Sequence, residues 1–169
     1  MISDAGLSSL RKLPHLERLS LARTPVTDIG IQTICEIRSL SNISLAQTAI
    51  TDAVLAELAR LPELCQLDLS DTAITDRGLI HVRSLAKLAH LGLDNTAVTD
   101  EGVKLLASFK YKWEGGLQAY LRGTNTSLPA SESLTVIKEP ESRDGTPSLF
   151  NLFDWDKDED GWGNLPMLP

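Results

Sequence analysis

A 24-residue period governs the first hundred residues of this chain. Four copies align without a gap. Residues 3–26 read SDAGLSSLRKLPHLERLSLARTPV and residues 27–50 read TDIGIQTICEIRSLSNISLAQTAI. Residues 51–74 read TDAVLAELARLPELCQLDLSDTAI and residues 75–98 read TDRGLIHVRSLAKLAHLGLDNTAV. A fifth, distorted copy opens with TDEGVKLLASF at 99–109. A fixed period of this length marks a solenoid, in which each unit buries its apolar face only against its neighbours. A chain built this way works by displaying a surface rather than by closing a cavity.

Each column of the alignment has a physical task. Leu16, Leu19 and Leu21 recur as Leu40, Ile43 and Leu45, as Leu64, Leu67 and Leu69, and as Leu88, Leu91 and Leu93. Their L-x-L pair has period two, so both side chains leave one face of a short strand. Stacked copies then form a parallel sheet with strands about 4.8 Å apart. Thr24, Thr48, Thr72 and Thr96 follow the strand at one offset, where a hydroxyl ladder would serve the polar groups of neighbouring turns. Val26, Ile50, Ile74 and Val98 point back inward. Ser3-Asp4, Thr27-Asp28, Thr51-Asp52, Thr75-Asp76 and Thr99-Asp100 are expected to start and cap a helix in every copy. One aspartate per copy at one offset reads as capping rather than as catalysis or metal binding. Gly6, Gly30, Gly78 and Gly102 recur at the helix start, but Val54 stands in the third copy, so packing and not backbone freedom sets that preference.

These columns resemble a leucine-rich repeat. The T-D-x-G-[LI] that follows L-x-L-x-x-T-x-[IV] is similar to the cysteine-containing subclass found in the receptor arms of F-box proteins and in many bacterial proteins. Threonine stands at 24, 48, 72 and 96 where that subclass carries cysteine. The resemblance covers residues 3–128. It implies an α/β fold: a right-handed superhelical solenoid of about five 24-residue repeats, short parallel strands on the concave face and helices on the convex face. It also implies protein binding. The domain reading is a solenoid over 1–128 and a disordered acidic tail over 129–169.

Charge and cysteine usage narrow the function. The net charge is −7, and residues 138–169 hold −5 of it. The repeat body is close to neutral, which argues against nucleic acid as a partner. No run of roughly 18 apolar residues suggests a membrane span, and no signal peptide opens the sequence. Cys35 and Cys65 occupy different columns, which fits a reducing cytoplasm rather than a disulfide. His15, His81 and His90 fall in three unrelated columns, and no H-E-x-x-H, G-x-S-x-G or glycine-rich phosphate loop occurs. The expectation is a non-enzymatic chain without cofactor.

The pattern breaks in three places. Met1-Ile2-Ser3-Asp4 matches a junction inside a repeat, so the sequence reads as starting in mid-repeat, and the strand near Leu19–Leu21 is expected to be an edge that can self-associate. The fifth copy spans 28 residues from Thr96 to Thr124 instead of 24, with the excess expected to bulge at Gly115-Gly116. All eight aromatic residues lie at or beyond Phe109, and Tyr111, Trp113 and Tyr120 are expected to cap the core. Past residue 128, Pro129, Pro140 and Pro147 punctuate a linker, followed by an acidic-hydrophobic segment around Phe150, Phe153 and Trp155. There Asp156, Asp158, Asp160 and Gly161 spell the opening of a calcium loop, but Met167 occupies the position of its bidentate glutamate. That makes them a weak metal candidate.

Partner binding is therefore assigned to the concave strand positions: Arg18, Ser20, Asn42, Ser44, Gln66, Asp68, Asp71, His90, Asp94, Tyr120 and Arg122. Asp68, Asp71 and Asp94 form an acidic cluster at the carboxyl half, while Arg18 and Arg23 lie at the amino half. The expected partner is a protein or a peptide with one basic end. Two alternatives stand beside this: a structural fragment of a longer repeat protein, and the receptor arm of a ubiquitin-ligase-like adaptor.

Overall fold

The computed structural model describes residues 2–109, 116–127 and 134–137. Each copy runs strand, turn, helix and return, so consecutive strands are joined by long crossovers and pair in parallel. The strands are β1 (Arg18–Ser20), β2 (Asn42–Ser44), β3 (Gln66–Asp68), β4 (His90–Gly92), β5 (Leu117–Tyr120) and β6 (Leu134–Ile137), in spatial order of sequence. Register follows the repeat. Leu19 faces Ile43, Ile43 faces Leu67 and Leu67 faces Leu91, each 24 residues on. The lengthened fifth copy shifts the offset to 28, pairing Leu91 with Ala119. Strand β6 pairs along its whole length with β5 and continues the sheet past residue 128, where the sequence places the end of the solenoid. Residues 138–169 lie outside the described residues, as do Tyr111, Trp113 and Gly115.

The helical side is built from α1 (Asp4–Leu7), α2 (Asp28–Ile34), α3 (Ala53–Leu58) and α4 (Asp100–Ala107), while the fourth copy uses a 3-10 helix, Gly78–Ser84. Between the two layers lies one apolar core. Leu21, Leu45, Leu69 and Leu93 are fully buried, as are Val26, Ile50, Ile74 and Val98. The helices contribute Leu7, Ile31, Ile34, Leu55, Leu58, Leu79, Val82 and Leu106.

The threonine column does not form the expected ladder between turns. Thr24, Thr48, Thr72 and Thr96 each donate to the carbonyl three residues back, at Leu21, Leu45, Leu69 and Leu93. Each hydroxyl closes its own turn, the local side-chain-to-backbone bond that threonine readily makes.

The aspartate side chains do not make the helix cap expected of them. In α2 and α4 the capping oxygen belongs to Thr27 and Thr99, which accept from Ile29 and Glu101 N–H at 3.3 Å. The aspartate beside each threonine reaches the following copy instead. Asp4 takes the Thr27 N–H at 2.9 Å and its hydroxyl at 2.7 Å. Asp28 holds Thr51, Asp52 holds Thr75 and Asp76 holds Thr99 in the same two-point clamp. Asp100 closes the series on Ser127, at 2.6 Å for both bonds. One threonine hydroxyl thus donates to the carboxylate behind it and accepts from the helix in front of it.

The glycines make room for this clamp. A Cβ on Gly30 would fall 2.2 Å from Asp4 Oδ1 and 2.8 Å from Leu7 Cδ1. Gly78 and Gly102 meet Asp52 and Asp76 in the same way. Where Val54 replaces glycine, the helix starts one residue later, at Ala53, and the Asp28–Thr51 clamp is more exposed.

Candidate functional site

The alternate positions of each strand, those not turned to the core, form the sheet's outer face. Parallel pairing at one register sets equivalent residues side by side, so short polar side chains meet sideways across copies. Ser41 Oγ donates to Asn42 Oδ1 at 2.7 Å, and Asn42 Nδ2 donates to Gln66 Oε1 at 2.6 Å. One column over, Ser44 Oγ donates to Asp68 Oδ2 at 3.2 Å. The other oxygen of Asp68 accepts from Ser70 N–H at 3.0 Å and Ser70 Oγ at 2.7 Å. Further along, Asp94 Oδ1 accepts from Arg122 N–H at 2.7 Å, and Arg122 Nε lies 3.9 Å from Asp94 Oδ2.

This face is less open than a row of free polar arms. Asn42, Ser44, Gln66, Asp68, Asp94 and Tyr120 are all buried, because each is flanked by neighbours 24 or 28 residues away. Arg18 and Ser20 are exposed on β1, and His90 and Arg122 are half-buried. The structure brings Ser44, Asp68 and Ser70 together, joins Asp94 to Arg122, and sets His90 opposite Gln118 in register.

Asp71 belongs to a different class. It shares a column with Arg23, Gln47 and Asn95, whose φ values are +58°, +56° and +54°, and its own is +56°. Gly123 holds the matching place at +69°. These five residues turn the chain off the strand in the left-handed region, which costs a residue with a Cβ about 1 kcal/mol. Side chains along the column bond to each other, Arg23 Nε to Gln47 Oε1 at 3.2 Å and Asn95 Nδ2 to Asp71 Oδ1 at 3.0 Å. They therefore rim the outer face rather than lie on it.

Electrostatics concentrate at the carboxyl half. Burial pushes the Asp94 carboxyl above its ordinary range; the Arg122 amide and guanidinium oppose this, and Asp68 and Asp71 add to it. Burial also raises the Tyr120 hydroxyl, with Asp94 contributing. His90 is held below its ordinary value by burial, with the Gln118 bond opposing, and its Nδ1 is buried without a hydrogen-bond partner. Both cysteines are free. Burial pushes the Cys35 thiol up to about 12 and raises Cys65 as well.

Ser70, Asn95 and Gln118 complete the networks yet fall outside the candidate set drawn from sequence. The Asp68-x-Ser70 spacing was the available signal, since a carboxylate readily takes the N–H two residues on. Among the described residues no group of three or more His, Cys, Asp or Glu side chains is placed to hold a metal ion, and no helix is long and apolar enough to cross a membrane. Asp156, Asp158 and Asp160 lie outside the described residues. On the helical side a cleft between α2 and α3 is lined by Gln32, Cys35, Glu36, Arg38, Glu57 and Arg60. Its arginines are engaged, Arg38 with the Arg60 carbonyl at 2.7 Å and Arg60 with Glu57 at 3.0 Å.

A family model described as Leucine Rich repeat matches residues 12–35 and 64–81. Among solved structures, internalin C2 of Listeria monocytogenes str. 4b F2365 superposes with a TM-score of 0.59 at 24% identity, over 78% of this chain and 55% of that one. An internalin (inlF) of the same strain gives 0.44 at 17% identity, over 71% of this chain and 45% of that one. The chain spans about half the length of the internalins it matches. No curated protein sequence matches it.

Proposed function

The chain is a leucine-rich-repeat protein, and from that premise we propose that the outer face of its sheet docks a protein or peptide without catalysis. One observation carries this reading: the polar groups of that face are locked sideways by bonds between copies. An array held in place before binding loses little freedom on contact, which favours affinity and register. Asp68, Asp71 and Asp94, with Tyr120 and His90 beside them, favour a partner segment carrying lysine or arginine; Arg122 admits one acidic group next to it. Both thiols are raised rather than activated, the opposite of what a nucleophilic cysteine needs. Two free cysteines also fit a reducing cytoplasm.

The test is selection of short peptides displayed against the full chain, followed by titration of the recovered binders. Binders should be rich in Lys and Arg, weaken with salt, and lose at least threefold in affinity against Asp71→Asn. Binders that hold Asp71→Asn and Asp94→Asn as tightly as the parent chain would sink the proposal.

A further inference from the structure

One carboxylate on the sheet has two oxygens in unlike circumstances. In the clamps at the helix starts both oxygens of each aspartate accept a hydrogen bond, at 2.6–2.9 Å. Asp68 likewise uses both, on Ser44 and Ser70. Asp94 uses one. Its Oδ1 accepts from the Arg122 N–H at 2.7 Å, while its Oδ2 has Arg122 Nε at 3.9 Å, beyond hydrogen-bond reach. Ser70, the residue of the same column in the copy before, gives both its N–H and its hydroxyl to Asp68. The Asp94 side chain is 9% exposed. Among the described residues His90 Nδ1 is the one side-chain polar atom both buried and unbonded. Asp94 Oδ2, unbonded as it is, therefore stays in touch with solvent.

Arg122 is held so that its side chain alone can leave. Its main chain is pinned twice, N–H to Asp94 Oδ1 and C=O to the Asn95 N–H, both at 2.7 Å. Its side chain is 42% exposed and approaches Asp94 without bonding it. An exposed pair at this separation is weak, whereas a cation at hydrogen-bond distance from a nearly buried carboxylate is held strongly. Burial keeps the Asp94 carboxyl above its ordinary range even with Arg122 beside it, as befits a carboxylate short of partners. The pair is also aperiodic. Its column reads Ala22, Ala46, Ser70, Asp94 and Arg122, with charge only in the last two copies.

We propose that Arg122 is an internal stand-in for the partner's cation, screening Asp94 in the free chain and giving up Oδ2 to a lysine or arginine of the docked segment. The exchange rests on the docking proposed for this face and deepens it. It leaves the backbone in place and frees the guanidinium for an acidic group of the same segment. Toward a purely basic segment Arg122 is a competitor, the opposite of a contact residue.

The test titrates a blocked peptide of alternating lysine and serine, free of acidic residues, into the full chain at neutral pH. Arg122→Gln should tighten binding about threefold, since glutamine keeps the N–H for Asp94 and removes the competing charge. Arg83→Gln, which takes the same charge from the helical side, should gain much less. In an Asp94→Asn background Arg122→Gln should add nothing. A loss of affinity at Arg122→Gln, a gain no larger than that of Arg83→Gln, or a gain that survives Asp94→Asn overturns the stand-in and leaves docking intact. No binding to any variant overturns docking and the stand-in together. A second measurement needs no peptide. Followed by carbon NMR, the Asp94 carboxyl should titrate at higher pH in Arg122→Gln, because the guanidinium opposes its protonation. An unchanged titration would show that Arg122 does not screen Asp94, and the proposal would fall whether or not a peptide binds.

Discussion

Two sets of aspartates serve this molecule differently. Asp4, Asp28, Asp52, Asp76 and Asp100 lie one per copy at the helix starts, and each bonds the same two atoms of the next copy. Asp68, Asp71 and Asp94 lie at the sheet, in three different columns, and each has its own partners. Recurrence separates the two. A carboxylate that the period demands is a fastener, and one that a single copy carries is free to serve recognition. In a solenoid, periodic chemistry belongs to the fold and aperiodic chemistry is where a partner is read.

Substitutions test that separation. Asp76→Ala removes two charge-assisted bonds to half-buried Thr99 and should cost about 3 kcal/mol in urea unfolding, whereas the more exposed Asp28 clamp should cost roughly 1 kcal/mol. Equal losses at the two sites would mean that burial does not grade the fasteners. Gln47→Gly releases a left-handed residue with a Cβ and should add about 1 kcal/mol in the same experiment, bringing the column into line with Gly123. A pH series distinguishes His90 from the carboxylates. Its folded pKa is depressed, so its contribution is complete above 6.5 and is lost as pH falls through the folded value. His90→Gln, matching Gln66 and Gln118 on either side, should flatten that slope. Asp94 runs the other way: its pKa is raised, so its contribution is present at low pH and is lost as pH rises through its folded value. The smallest effect is expected at Asp71→Asn, within about 0.5 kcal/mol of the parent, because asparagine tolerates the left-handed turn and keeps an acceptor for Asn95. A large loss there would place Asp71 with the fasteners.

Much of this architecture was legible in the columns. Leucine alternation marks the strands, and the 24-residue offset sets their register down to Leu19 opposite Ile43. The 28-residue count from Thr96 to Thr124 anticipates the shifted pairing of β5. What escaped were contacts that cross from one copy to the next. An aspartate before a helix satisfies a capping rule completely, so nothing in one copy announces that its carboxylate serves Thr27 or Thr51 instead. The left-handed column was half visible, since Asp71, Asn95 and Gly123 favour that geometry while Arg23 and Gln47 obscure it. The strand positions turned away from the core were legible from the alternation, but Asp71 falls in the turn column beside them, and the bonds between their side chains were not foreseen. Their sideways bonds depend on strand spacing, which a single copy does not encode.

The clamps also give the solenoid a mechanical character. Every fastener joins one copy to the next and none spans two, so load applied to the two ends passes through all of them in series. Pulled apart, such a chain should yield in discrete lengths rather than continuously, the weakest joint first. Each released copy of 24 residues would add about 80 Å of extended chain. The lengthened fifth copy would add a longer step of its own. The two exposed joints, at Thr51 and at Ser127, are where that unravelling should begin.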